Sequence, residues 1–193
     1  MLMKCFSFKQ NTILAVLLVL ICFNLNATNY YVDDNSSTGD VYCLNANGDN
    51  ANDGLDANNP KLTLTDLLSD YATSFNFGDT IFIDAGNYTD NNLSSPLNGV
   101  VIQGAGMGVT NFVNGCADCY FMYIDDNNTT LSSLTLEDYN DQTAGAGQVI
   151  GVLSGTVGVN IWFVQVYKTS TTSSGSDFPI IVKAHTDVHF KGG

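Results

Sequence analysis

Residues 64–86 read LTDLLSDYATSFNFGDTIFIDAG, and this stretch joins a helical pattern directly to a β pattern. Helical spacing connects five apolar residues: Leu64, Leu67, Leu68, Tyr71 and Phe75. They predict a helix over residues 64–75 with a single apolar face. Thr63 is placed to cap its start, Asp66 lies in the first turn, where the helix dipole favours an acid, and Gly78 marks the stop.

Downstream of the helix, short β-rich runs alternate with Gly, Asn and Ser turns, and no second helical pattern occurs. A first set of predicted strands covers residues 81–83, 100–102, 134–136, 161–164 and 188–190. A second set lies between them at residues 112–113, 120–124, 148–153 and 179–182, and an earlier strand covers residues 30–32. The chain is therefore predicted to be mainly β, with a long polar loop before the helix.

The spacing of the first set indicates an irregular repeat of about 20 to 35 residues, which is typical of a stacked β-solenoid. Each coil would bury its inward side chains on the coils above and below it. The helix would cover the apolar end of the stack and protect an open sheet edge. The rival interpretation is a β-sandwich, which favours more even spacing of about 8 to 12 residues and no early helix.

The first 27 residues have the pattern of an export signal. Lys4 and Lys9 form a basic start, residues 13–23 are an unbroken apolar run, and Ala27 precedes the predicted cleavage point. The apolar run is too short to span a membrane. We expect a signal peptide over 1–27, a strand, polar loop and capping helix over 28–78, and stacked coils over 79–193. The mature chain is expected to have no membrane span.

The composition excludes one class of partner. The chain has 19 acidic residues against 6 basic ones, all of them Lys, and a formal net charge of −13. A surface this acidic repels phosphate backbones, so nucleic acid is not an expected partner. The absence of Arg also removes the best bidentate anchor for phosphate or carboxylate ligands.

Several short motifs occur in a fixed order: Tyr-Tyr-Val-Asp at 30–33, Asn-Asp-Gly-Leu at 52–55, Gly-Asp-Thr-Ile-Phe-Ile at 78–83, Ala-Gly-Asn-Tyr-Thr at 85–89 and Val-Ile-Gln-Gly-Ala-Gly at 101–106. In this order the chain resembles the N-terminal part of secreted right-handed parallel β-helix proteins of the pectin-lyase-like superfamily. The resemblance implies a right-handed coil and a protein that is secreted or attached to the cell surface of a Gram-negative bacterium, as in Bacteroidetes.

The resemblance also implies that the full protein is longer than this chain. Such surface proteins often carry a C-terminal sorting domain, and no such pattern occurs before Gly193. We therefore expect either a truncated member or a chain whose last coil is covered by a partner, and a non-functional N-terminal remnant of a longer surface protein is a further open interpretation.

The catalytic pattern of this superfamily is not matched. Its lyases use calcium-binding acids with an Arg or Lys as the proton-abstracting base, and this chain offers only Lys168, Lys183 and Lys191 in its predicted coils. Acid pairs at 125–126 and 137–138 could suggest glycoside hydrolysis, but neighbours on a strand point to opposite faces. We predict a non-catalytic structural module, or one that binds a polysaccharide or a cell-surface protein. The alternative is a polysaccharide lyase or glycoside hydrolase, or a fragment of one, acting on acidic polysaccharide.

Three aromatic residues are candidates for stacking on sugar rings: Trp162, Tyr167 and Tyr139. Trp162 and Phe163 are neighbours in a strand pattern, so one of the two should point outward. Aromatic residues in such positions also serve as core residues, which is the competing interpretation.

The acidic segment at 49–56 is similar to a calcium loop. With Gly54 at the sixth position, Asp49 and Asp53 take the first and fifth, and Asp56 follows. Ala51 then falls where an oxygen ligand is needed, and Pro60 replaces the bidentate Glu of an EF-hand. A turn leading into the helix is the competing interpretation. No required cofactor is expected, and any calcium binding here should be no tighter than about millimolar.

Three cysteines remain after the predicted cleavage: Cys43, Cys116 and Cys119. Cys116 and Cys119 have the spacing of half a zinc site, but no second half lies near them. A local disulfide between Cys116 and Cys119, or a pair of reduced thiols, is the favoured interpretation.

Overall fold

The computed structural model describes residues 27–94, 98–116, 119–139, 148–167, 178–182 and 188–191. Residues 1–26, which contain nearly all of the predicted signal sequence, lie outside this described part. Its one helix is α1 (Leu64–Asp70). No helix within the described ranges is long and apolar enough to cross a membrane.

The described strands, in chain order, are β1 (Asn29–Val32), β2 (Thr80–Ile83), β3 (Gly86–Tyr88), β4 (Leu93–Ser94), β5 (Val101–Gly104), β6 (Thr110–Val113), β7 (Met122–Ile124), β8 (Thr130–Glu137), β9 (Gln148–Val152), β10 (Val159–Tyr167), β11 (Phe178–Val182) and β12 (Val188–Lys191). The chain is mainly β, as the sequence predicts. Strands β3 and β4 were not predicted, because their residues, Gly-Asn-Tyr and Leu-Ser, include the Gly, Asn and Ser that are typical of turns.

The strands form two sheets, and every strand pair in the described part is parallel. The 8-stranded sheet has the order β1-β2-β5-β8-β10-β12, with β3 and β6 alongside, and the 4-stranded sheet has the order β11-β9-β7-β4. The first set of predicted strands lies in the larger sheet. The second set lies in the smaller one, apart from residues 112–113. A β-sandwich is built from antiparallel pairs, so that rival does not describe these strands.

The larger sheet stacks identical kinds of side chain in register. Tyr30, Ile81, Ile102, Leu131 and Ile161 occupy one column across five strands, and all five are buried. Apolar residues recur at this position because residues paired across parallel strands point to the same face of the sheet, and here that face is buried. All five residues belong to the hydrophobic core.

A bend recurs within the larger sheet. Strands β5 and β6 pair with the two halves of β8, and the pairing of β8 with β10 skips Ser133 and Phe163. Both skipped residues have left-handed backbone angles, φ +59° and +54°. In the preceding strand Gly104 lies at this bend, and a Cβ there would come within 2.3 Å of the Ser133 carbonyl oxygen. The alternation of side chains between the two faces of the sheet is therefore interrupted at the bend and begins again after it.

Helix α1 begins as predicted and ends earlier. The Thr63 side chain accepts a hydrogen bond from the Asp66 backbone N–H at 3.2 Å, so Thr63 is the N-cap. The helix ends at Asp70 rather than at Phe75, which corrects the predicted length. Thr73 and Ser74, which follow the helix in sequence, are poor helix formers. The Tyr71 hydroxyl also donates a hydrogen bond to the Asp53 carbonyl oxygen at 2.8 Å, outside the helix.

The apolar face of α1 packs beside the first strand. Leu64, Leu67 and Leu68 are buried in the core. Beyond the helix, the rings of Tyr71 and Phe75 each lie with their centroids 4.9 Å from that of Tyr30 in β1. The helix and the turn after it therefore cover the core next to the strand at which the larger sheet begins.

Candidate ligand-binding site

A polar pocket of about 400 Å³ lies where the loop after β1, the residues before α1 and the end of β3 meet. Its lining consists of acidic, amide and hydroxyl side chains with one leucine and one tyrosine: Asp34, Asn35, Ser36, Leu62, Thr63, Asn87, Tyr88, Thr89 and Asp90. We call this site the polar pocket. Its volume lies within the range of small-molecule binding sites.

Asp90 is the most constrained acid of the polar pocket. Only 5% of the residue is exposed, and its Oδ1 accepts hydrogen bonds from the Thr65 backbone N–H at 2.8 Å and from the Thr65 hydroxyl. The Asp90 backbone carbonyl accepts a further bond from the Tyr139 hydroxyl. Its second carboxylate oxygen, Oδ2, is buried and has no hydrogen-bond partner. The carboxylate is thus fixed in place with one acceptor oxygen unused.

Asp34 is held in a similar way on the other side of the pocket. Its Oδ2 accepts the Asn87 backbone N–H at 3.2 Å, whereas its Oδ1 is buried without a hydrogen-bond partner. Gly86 packs directly against this carboxylate, so a Cβ at position 86 would come within 2.3 Å of Oδ2. Two acids that are far apart in sequence therefore line the same pocket, and each has one buried carboxylate oxygen without a partner.

Gly86→Ala is expected to displace the Asp34 carboxylate, because an added methyl group overlaps it. We expect a loss of about 1–3 kcal/mol in the free energy of unfolding, the usual cost of overpacking. Denaturant unfolding followed by circular dichroism measures it. Gly115→Ala is the control, since nothing lies within 4 Å of a Cβ at that position. Equal stabilities for the two variants would contradict the described packing.

The electrostatic character of the polar pocket is acidic. Its lining includes two carboxylates and no Lys, Arg or His. Lys61, which lies just before the pocket residue Leu62, is itself buried. Its Nζ pairs with Asp70 and donates to the Asn50 carbonyl oxygen at 2.9 Å. The pocket therefore repels anions and favours ligands that donate hydrogen bonds.

A short column of polar side chains continues from the pocket along the sheet. Parallel pairing aligns Asn87 of β3 with Asn111 of β6, and Asn111 with Thr135 of β8. The Asn111 side-chain amide donates to Asn87 Oδ1 at 3.5 Å. Asn87 both lines the pocket and belongs to this column, so the polar surface extends from the pocket to Asn111, whereas Thr135 is buried.

The three predicted sugar-stacking residues have different environments. Trp162 is 39% exposed on β10, and its neighbour Phe163 is also exposed because the bend at Phe163 interrupts the alternation. Tyr139 is 4% exposed and packs on Phe121, so no sugar ring can reach its face, which corrects that candidate. Tyr167 ends β10, and its side chain lies outside the described part of the structure.

The three predicted metal-binding acids each stabilise a turn. Asp49 Oδ1 accepts the Ala51 N–H, Asp53 Oδ1 accepts the Leu55 N–H, and Asp56 Oδ1 accepts the backbone and side-chain N–H groups of Asn58. The hydrogen bonds from Asn58 lower the pKa of Asp56. Such Asx turns match the competing interpretation of this segment as a turn. Among the described residues no three Asp, Glu, His or Cys side chains form a group that could hold a metal ion.

Of the three cysteines in the described part of the chain, two form a disulfide and one is a free thiol. Cys116 and Cys119 are joined by a disulfide across a Cα–Cα distance of 5.9 Å. Cys43 is buried with a free thiol, and burial together with the charges of Asp84 and Asp33 raises its pKa. A thiol with a raised pKa is unreactive, so Cys43 acts as a core residue.

The polar pocket was missed in the sequence because its two acids come from different segments. Asp34 lies two residues after β1, whereas Asp90 lies beyond β3, and the hydrogen bond from the Asn87 N–H of β3 to Asp34 joins the two segments. No protein-family model matches the chain, and neither a curated protein nor a solved structure is significantly similar to it.

Proposed function

We propose that this chain is a non-catalytic binding module of an exported protein, and that its polar pocket binds a neutral or amino sugar of a polysaccharide. The observation that carries the proposal is that two fixed carboxylates, those of Asp34 and Asp90, line one pocket together with amide and hydroxyl side chains. A ligand that donates a hydrogen bond to a carboxylate gains about 1.5–3 kcal/mol, so the pocket favours ligands with hydroxyl or amino groups.

The chemistry of the lining supports a sugar. Hydroxyl groups can donate to the two carboxylates, and the amides of Asn35 and Asn87 both donate and accept. Leu62 adds an apolar surface for the C–H face of a ring. An acidic polysaccharide would place its carboxylates beside Asp34 and Asp90, and charges of the same sign repel each other. The pocket therefore favours a neutral or amino sugar over polygalacturonate-like substrates.

We also infer that the two sheets are faces of one right-handed parallel β-helix. Along the chain the strands alternate between the sheets: β4 follows β3, β7 follows β6, β9 follows β8 and β11 follows β10. Partners in the larger sheet are 21, 29 and 30 residues apart along Thr80, Val101, Thr130 and Asn160. This spacing lies within the repeat predicted from the sequence. The coil, the signal sequence and the resemblance together support export to the cell surface.

Trp162 is the second proposed contact, for longer glycans. Its exposed ring offers a flat surface on β10, and Lys191 lies over the neighbouring Phe163 ring at 5.6 Å. Aromatic rings on a rigid strand bind sugars through their faces.

Calorimetric titration with neutral and amino oligosaccharides tests the proposal. Asp90→Asn is the sharpest variant, because the new amide oxygen can keep both bonds to Thr65 while an NH₂ group replaces the unused Oδ2. We expect it to weaken sugar binding by about tenfold or more, the loss for one charged hydrogen bond. Asp53→Asn is the matched control, since Asn also supports an Asx turn, and it should bind like the wild type.

Two results would contradict this proposed function. Equal affinity of Asp90→Asn and the wild type would place any sugar binding elsewhere. Release of an unsaturated, ultraviolet-absorbing product from polygalacturonate with calcium would instead support the polysaccharide-lyase alternative.

A further inference from the structure

A second cavity lies next to the polar pocket, between α1 and β4. One wall consists of a face of α1 and the turn after it, with Thr65, Leu68, Ser69 and Ala72, and the other wall consists of residues 91–94. The volume of this cavity is about 280 Å³, and its lining shares no residue with that of the polar pocket. We call it the helix pocket.

The two pockets adjoin at the hydrogen bonds between Thr65 and Asp90. Asp90 lines the polar pocket, whereas Thr65 lines the helix pocket, and the Thr65 N–H and hydroxyl both donate to Asp90 Oδ1, at 2.8 and 2.5 Å. The chain crosses from one pocket to the other at this point, since Asn91 of the helix pocket directly follows Asp90. Thr65 is exposed to solvent, so a ligand that lies across this residue can occupy both pockets.

The lining of the helix pocket is uncharged, in contrast to that of the polar pocket. Its polar groups are three hydroxyls and two amides, which both donate and accept hydrogen bonds. Leu68 and Leu93, which are 6% and 4% exposed, add apolar surface from the core. An apolar surface with a few polar groups is typical of small-molecule sites, and the absence of a charge in this lining favours an uncharged ligand group.

The two amide side chains of the helix pocket are held in place by the protein. The Asn91 Nδ2 group donates to the Thr89 carbonyl oxygen at 3.1 Å. The Asn92 Nδ2 group donates to Asn91 Oδ1 at 3.2 Å and to the disulfide sulfur of Cys119 at 3.4 Å. The Asn92 backbone N–H also donates to the Tyr120 carbonyl oxygen at 2.8 Å. Polar groups that are already ordered lose little conformational freedom when a ligand binds.

We propose that the helix pocket is a second sugar subsite, and that the ligand is a linear glycan of at least two linked rings. A ring with an amino group lies in the polar pocket, because the carboxylates of Asp34 and Asp90 attract a protonated amine. An uncharged ring lies in the helix pocket, where the lining has no charge to compensate an ion. This inference rests on the proposed function, since it extends the ligand of the polar pocket.

Calorimetric titration at slightly acidic pH tests the second subsite. The probes are glucosamine and a disaccharide of glucosamine and N-acetylglucosamine, in both orders of linkage. We expect the better order to bind about tenfold more tightly than glucosamine, because the second ring adds hydrogen bonds in the helix pocket.

Two variants obstruct the helix pocket alone. Ser69→Leu and Ala72→Leu each add a bulky apolar side chain at an exposed position of its lining. Each should remove the tenfold gain of the disaccharide and leave the affinity for glucosamine unchanged. Thr73→Leu is the matched control, since Thr73 is exposed beside Ala72 and does not line the pocket. It should bind both probes like the wild type.

The wild type gives a second measurement in case a variant fails to fold. In NMR titrations of the ¹⁵N-labelled chain, the amide signals of Asn92 and Leu93 should shift with the disaccharide and not with glucosamine. The position of the amine is tested with the fully N-acetylated disaccharide. The preference for the amino form should be lost in Asp90→Asn and kept in Ser69→Leu.

The outcomes separate this inference from the proposed function. Equal affinity of the wild type for glucosamine and both disaccharides would overturn the second subsite and leave the polar pocket as a site for one ring. A tenfold gain that both Leu variants retain would also overturn it. Absence of any sugar binding would reject the proposed function, and the second subsite with it.

Discussion

Asp84→Ala should lower the free energy of unfolding by about 3 kcal/mol or more, because it leaves several backbone donors buried without acceptors. Asp84 has no exposed surface, and its carboxylate accepts the N–H groups of Val41, Tyr42 and Cys43. The Ala85 N–H donates to the same carboxylate at 2.7 Å. The substitution should release the 41–43 segment from the end of β2.

Denaturant unfolding measures this loss. Asp84→Asn keeps one acceptor oxygen and should fall between the wild type and Asp84→Ala. Asp56→Ala is the exposed control, and it should cost less than about 1 kcal/mol. If Asp84→Ala and Asp56→Ala destabilised the chain equally, Asp84 would not hold the loop as described.

Phe112→Ala should cost about 3–5 kcal/mol, the usual loss for truncating a buried phenylalanine. Phe112 is fully buried in β6, and its ring lies between those of Tyr88 and Phe121, at centroid distances of 5.1 and 4.7 Å. The ring of Tyr139 continues this aromatic stack from Phe121. The truncation therefore opens a cavity in the middle of contacts that join several strands.

Phe77→Ala provides a matched control, since Phe77 is 66% exposed and should cost less than about 1 kcal/mol. The same unfolding experiment compares the two. A small effect at Phe112 would mean that β3, β6 and the following segment do not share one core.

The mainly β, parallel organisation could be predicted because its signals are local and repeated. Apolar positions such as Ile81, Ile102 and Leu131 recur at intervals too long for hairpins. The start of α1 was equally visible, since Thr63 and Asp66 form a capping pattern within four residues. These features depend on neighbours in sequence or on a simple repeat, so the sequence alone is enough to predict them.

The end of α1 and the exposure of Phe163 could not be predicted, because tertiary contacts decide them. The helical spacing continues to Phe75, but Tyr71 turns away to contact Tyr30 and Asp53. Simple alternation would bury either Trp162 or Phe163. The left-handed bend at Phe163 exposes both, and it becomes visible only when β10 is aligned with Ser133 of β8.

The acids were the hardest residues to assign from sequence. The sequence suggested a metal site at 49–56 because the acids there are close together. In the structure each of these acids stabilises a turn. Asp33, Asp34, Asp84 and Asp90 are spread over the chain and had no motif. The β1-β2 pairing brings Asp33 beside Asp84, and the hydrogen bond from the Asn87 N–H of β3 to Asp34 brings Asp34 near Asp90. Position in the fold, rather than sequence spacing, distinguishes the functional candidates.

The most direct test of sugar binding at the polar pocket is an NMR titration of the ¹⁵N-labelled chain with a neutral disaccharide. Two backbone amides report on the two acids, because the Thr65 N–H donates to Asp90 and the Asn87 N–H donates to Asp34. We predict that both amide signals shift in a saturable way, and that Asp90→Asn reduces the affinity. Saturable shifts confined to residues around Trp162, with the Thr65 and Asn87 signals unchanged, would contradict the proposed function.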